Sequence, residues 1–111
     1  SKKLERLVKK HPELIRHIVA RLKDAYQVCK KHEKYLKEND DAEKKYHPKT
    51  YVIYGLVPLL KGHSLALAKS CFPDMIKKDE YWVAGFRGMF TTVIFLKVDE
   101  NGQIVEAKAD D

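Results

Sequence analysis

The stretch "MFTTVIFLKVD", Met89 to Asp99, decides how this chain folds. Side chains alternate across a strand, so Phe90, Thr92, Ile94, Leu96 and Val98 share one face, and Thr91, Val93, Phe95 and Lys97 share the other. Both faces are largely apolar. A sheet with one wet face would alternate apolar with polar, so this strand predicts helices over one side and a second packed layer, or the wall of a cavity, on the other. Outward from it, "DENG" at 99–102 is a tight turn into a strand "QIVEAKA", and "EYWVAGFRG" at 80–88 is a strand before it. Gly85 and Gly88 flank Phe86 and Arg87 and mark a bend or bulge.

Further upstream, "PLLKGHSLALAKSCFPD", Pro58 to Asp74, holds a glycine turn, a short helix with Leu65, Leu67, Ala68 and Phe72 on its apolar side, and a proline stop. "KTYVIYGLV", Lys49 to Val57, is rich in β-branched and aromatic residues and is predicted as a strand ended by Pro58. Leu4, Leu7 and Val8 sit at helical spacing. Pro12 then opens a long helix carrying Ile15, Ile18, Leu22, Ala25, Cys29, His32 and Leu36 every three or four residues, with Leu14, Val19 and Tyr26 widening the stripe. A polar loop is expected from Asn39, with Pro48 preventing continuation. The predicted order is α, α, β, α, β, β, β: a single α+β domain over 1–111, helical over 1–45 and strand-rich over 46–111, with helices on a curved antiparallel sheet around a pocket.

Composition narrows the classes. The chain has 111 residues, 44% hydrophobic, with six Tyr, four Phe and one Trp, which suits one folded domain and excludes a disordered tail. It holds neither an apolar run of membrane-spanning length nor a signal-peptide pattern, so a soluble, cytoplasmic protein with no membrane partner is expected. A first residue of Ser rather than Met is what a trimmed, engineered or designed chain shows. Cys29 and Cys71 lack the spacing of a zinc or haem motif and read as buried free thiols. No cofactor fingerprint occurs. The net charge is +6, and residues 1–48 carry 14 Lys and Arg against 8 Asp and Glu while the rest is balanced. Acids interleave with those lysines, which favours a solvated helix surface over a nucleic-acid stripe.

At this point the order of signals resembles a known group. "YHPKTYVIYGLVPLLKGHSLALAKSCFPDM" and "VIFLKVDENGQIVEAKADD" look like the SnoaL-like branch of the nuclear transport factor and ketosteroid isomerase superfamily. The matching residues are Pro58, Leu59, Gly62, Phe72, Pro73, Asp74, Gly102, Ile104, Val105, Glu106 and Asp110. The resemblance covers 46–111 and implies long helices against a strongly curved sheet, a cone with an internal pocket. It also departs from the family, which has another strand pair where only Tyr81 to Gly88 stands here.

Three chemistries can be placed on these residues. The first is a pocket for a small apolar or aromatic molecule, lined by Tyr51, Tyr54, Trp82, Phe86 and Phe90, with Thr92 fixing orientation; the same residues can equally fill a core. The second is ester hydrolysis by Ser64, at a helix start whose amides suit an oxyanion, with His17 or His47 as base; the competing role is a plain N-cap, and the elbow pattern fails at Ala66. The third is acid-base isomerase or cyclase chemistry, for which Asp74 and His17 are the candidates, since no inward strand position carries an acid. Cys29 and His32, at i and i+3, are two potential metal ligands and no more, so no metal site is assigned. Binding without catalysis is the expectation that leads, by a monomer or homodimer.

Overall fold

A computed structural model describes residues 2–36, 43–87 and 91–110, with the side chains of 34–36 and 43–47 set aside. Met89 and Phe90, the latter a predicted pocket residue, lie outside the described residues, as does the side chain of His47.

Helix α1, Lys2–Lys10, turns Leu4 and Val8 toward the core and sets Glu5 in its first turn and Lys9 and Lys10 in its last, as its dipole favours. A single 3₁₀ turn, Pro12–Leu14, passes the chain into α2, Ile15–Leu36. The predicted stripe is the one that packs: Ile18, Leu22, Ala25, Tyr26 and Cys29 are buried.

The segment 49–57 departs from its prediction. It is helical, the main part of α3, Glu43–Leu56, and Pro48 sits inside that helix instead of before it. The reason is visible in what is buried. Ile53, Val57 and Leu60 lie four and three residues apart and all reach zero exposure, with Val52 and Leu56 packed beside them. A period of 3.6 thus overrides β-propensity, which mainly measures fit to a half-buried sheet surface. A 3₁₀ turn, Val57–Leu60, follows, then α4, Leu65–Cys71, which buries Ala68 and Cys71 and ends at buried Phe72.

The remaining elements form an antiparallel meander in the order β1 (Ile76–Lys78), β2 (Tyr81–Arg87), β3 (Thr91–Val98) and β4 (Ile104–Asp110). The hairpin turn at 99–102 forms as read: Gly102 takes φ +77°, and Asp99 accepts amide hydrogen bonds from Asn101 at 2.9 Å and Gln103 at 3.0 Å. One bulge interrupts the β3–β4 register at Lys97 and Val98. The start of β4 is further held by the 62–64 segment, with Gly62 N donating to Ile104 O and Ile104 N to His63 O, both at 2.8 Å.

Among the described elements, the helices cover one face only. On that face Ala84, Phe86, Thr92, Ile94, Leu96 and Ile104 are buried. On the other, residues fall in rows: Lys78 pairs with Tyr81 and Lys97 with Glu106, in line one step past the Trp82–Leu96 pair; then Ile76, Val83, Phe95 and Lys108; then Gly85, Val93 and Asp110. Among the described residues no helix is long and apolar enough to cross a membrane.

Candidate functional site

The predicted site residues do not converge. Ser64 is exposed and is the N-cap of α4: its Oγ accepts the Leu67 amide at 3.2 Å, and its chain position is fixed by a bridge to Gln103. No described histidine is hydrogen-bonded to it. His17 is exposed on α2, one residue before buried Ile18 and so about 100° round the helix from it. His32 Nδ1 bonds back to Val28 O at 2.8 Å. Phe86 and Thr92 are 3% and 1% exposed, Trp82 packs against the core under Lys69, and Tyr54 meets Thr92 Oγ1 at 3.2 Å. These aromatics fill space between layers. Tyr51 is instead 68% exposed, on the outside of α3.

Asp74 belongs to a cluster that the sequence reading missed. β1 pairs only with Tyr81, Trp82 and Val83, so the backbone of β2 beyond them has no strand on that side. Side chains of α2 take the place of one. Gly85 O accepts from Lys30 Nζ at 3.2 Å, with the Tyr26 hydroxyl 3.3 Å away, and Arg87 N donates to Glu33 Oε1 at 2.9 Å. Tyr26 donates its proton to Asp74 Oδ1 at 2.5 Å, and Lys30 lies 3.2 Å from Glu33 and 3.3 Å from Asp74. The Tyr26 ring stands edge-on to Phe72 and Phe86 at 5.0 and 6.2 Å. The signal was present at i, i+4 and i+7: Tyr26, Lys30 and Glu33 make a polar stripe beside the apolar one.

This cluster holds protons firmly. Burial, then the hydrogen bond and charge of Asp74, raise Tyr26 far above the ordinary phenol range. Burial pulls Lys30 down, but Glu33 and Asp74 outweigh it, so the ammonium is raised. Neither group is a base or nucleophile near neutral pH. The cluster ties α2 and the Phe72-Pro73-Asp74 turn to an open strand edge, which otherwise leaves buried or sticky backbone groups. Burial likewise pushes the Cys29 and Cys71 thiols up to about 11, which makes them inert. No three His, Cys, Asp or Glu among the described residues come together as a metal-binding group.

The concave surface lies elsewhere, in the helix layer. A cleft of about 260 Å³ between α2 and α3 is lined by Ala20, Arg21, Ala25 and Val52, and a second of about 310 Å³ by Leu4, Arg21, Tyr51, Val52 and Leu56. They share Arg21 and Val52. Gly55 borders the second cleft, and a Cβ there would meet nothing within 4 Å, so the glycine leaves the floor open. Lys49 and Asp24, which also line the first cleft, are spent on each other at 3.0 Å. An open depression of about 580 Å³ continues past Leu4 along α1, floored by Leu7 and rimmed by Lys3, Arg6 and Lys10. No family model, no curated protein and no solved structure matches the chain.

Proposed function

We propose that this chain is a binding protein without catalytic activity, whose ligand is a small amphipathic anion such as an alkyl or aryl carboxylate seated in the groove of the helix layer. The observation that carries this reading is Arg21. It lies on both adjoining clefts and forms no ion pair with a described residue, while the Asp24 carboxylate beside it is already taken by Lys49. A guanidinium beside Val52, Leu56 and Tyr51 offers a fork for a carboxylate and an apolar wall for the body attached to it. Each cleft alone falls near the lower end of ligand sites, which run to roughly 300–1,000 Å³. The SnoaL-like resemblance is part of the same proposal, supported by helices preceding an antiparallel sheet and by the Phe-Pro-Asp turn. Among the described residues first assigned to a pocket, only Tyr51 borders this groove. Binding is favoured over turnover because the hydroxyl of Ser64 has no imidazole partner among the described residues and Tyr26 and Lys30 hold their protons.

Calorimetric melting with decanoate tests it. At a concentration ten times Kd a single site adds about 1.4 kcal/mol, which raises the Tm of a domain this small by roughly 5–10 °C. Arg21→Gln is expected to abolish the shift, and Gly55→Phe to block it by filling the floor. A wild-type Tm that does not respond to decanoate or to benzoate sinks the proposal, as does an equal response in Arg21→Gln.

A further inference from the structure

The face of the sheet opposite the helices has no layer of its own among the described elements, yet its centre is apolar. Val83, Val93 and Phe95 occupy adjacent positions across β2 and β3, with Tyr81 edge-on to Phe95 at 6.0 Å and Ile76 61% exposed at the β1 end. We infer that this face is covered by a second copy of the same chain, sheet against sheet about a two-fold axis parallel to the strands and between β2 and β3.

One charge pair favours a second copy of the chain: in the first row Lys78 stands at the β1 end and Glu106 at the β4 end, while the second row runs from Ile76 to Lys108 and the third from Gly85 to Asp110. The two-fold sets β1 of one copy over β4 of the other and β2 over β3, at the ~10 Å spacing of packed sheets. Lys78 then faces Glu106, Tyr81 faces Lys97, and Val83 faces Phe95, each twice. Gly85 faces Val93, and the missing side chain of the first makes room for the second. Ile76 faces Lys108, whose alkyl stem covers it while the ammonium stays in water. A nucleic acid fits this surface less well. Lys97 is already 3.3 Å from Glu80, and Lys108 lies 3.8 and 3.9 Å from Glu106 and Asp110, so the face is mixed in sign rather than basic. Sheets packed face to face cross at about −30°, which softens this row-on-row registry without changing which strands meet.

Sedimentation equilibrium and light scattering test the inference. The wild type is expected to be a concentration-dependent dimer, and Phe95→Lys a monomer with an unchanged far-ultraviolet circular dichroism spectrum. Because that variant also alters an apolar contact, the charge pair supplies an independent reading. Lys78→Glu is expected to weaken the dimer about tenfold, given two weak surface pairs lost per dimer, and Lys78→Glu with Glu106→Lys to restore it. A wild type that stays monomeric at every concentration overturns the inference, as does a dimer that Phe95→Lys leaves intact. Oligonucleotide binding that Phe95→Lys removes from a monomeric wild type would assign the face to nucleic acid instead.

Discussion

The two faces of β3 have nearly the same composition and opposite surroundings. Thr92, Ile94 and Leu96 point into the helix layer and are buried, while Val93 and Phe95, one residue along, stay half-exposed on the bare side. A strand that is apolar on both faces commits the fold to covering the first, because that is where α2, α3 and α4 bring Leu22, Ile53 and Phe72. The second face can wait for a partner. Burial within the chain and availability for assembly are therefore read from cover, not from residue type.

The largest expected difference between the faces comes from a pair of truncations one residue apart. Leu96→Ala removes a fully buried side chain and leaves a cavity, which costs about 2–5 kcal/mol of unfolding free energy. Phe95→Ala takes away a bigger side chain but from a face open to water, and in the monomer it costs roughly 1 kcal/mol. Urea unfolding at low protein concentration measures both. Equal losses would mean that the bare face is already covered within one chain, and the contrast drawn here would fail.

A smaller effect is expected where the covered face meets its open edge. Tyr26→Phe keeps the ring against Phe72 and Phe86 but deletes the hydroxyl bonded to Asp74 and near Gly85 O. Lys30 still reaches both the Gly85 carbonyl and Asp74, so the loss is expected to be about 1–2 kcal/mol, with the urea m-value unchanged. Hydrogen exchange sharpens the point: the Arg87 amide, bonded to Glu33, is expected to exchange faster in this variant, as α2 loosens from β2. An unaltered stability would show that Lys30 and Glu33 hold the edge without the tyrosine.

Much of this architecture was legible. The helix 15–36 follows from one long stripe, and the β3–β4 hairpin from Asp99, Gly102 and the alternation around them. The error at 49–57 was one of period. Tyr51, Val52, Ile53 and Tyr54 have the residue types of a strand, but the positions that bury, 53, 57 and 60, belong to a helix. That choice depends on α2 lying alongside, which no local window contains. The groove went unread for the same reason. Arg21 and Gly55 are unremarkable in sequence and acquire meaning only when two helices pack side by side. The cluster at the β2 edge needed the further knowledge that β1 is three residues long.

The smallest expected effect belongs to the residue with the most eye-catching sequence context. Ser64 begins α4 beside the start of β4, where Leu65 N donates to Gly102 O at 2.9 Å and the 62–64 backbone pairs with 103 and 104. Its hydroxyl takes one orphan amide, that of Leu67. Ser64→Ala therefore loses one cap bond on a seven-residue helix, a cost of about 0.5–1 kcal/mol, and Ser64→Asp, which can cap as well, is expected to lose little or none. The backbone pairing to β4 limits the damage, since it fixes the start of α4 without the side chain. Hydrolysis of an activated ester is expected to be the same in both variants and the wild type. A stability loss shared by Ala and Asp would remove the cap as the explanation. A hydrolysis rate that falls in both would return Ser64 to the role of nucleophile.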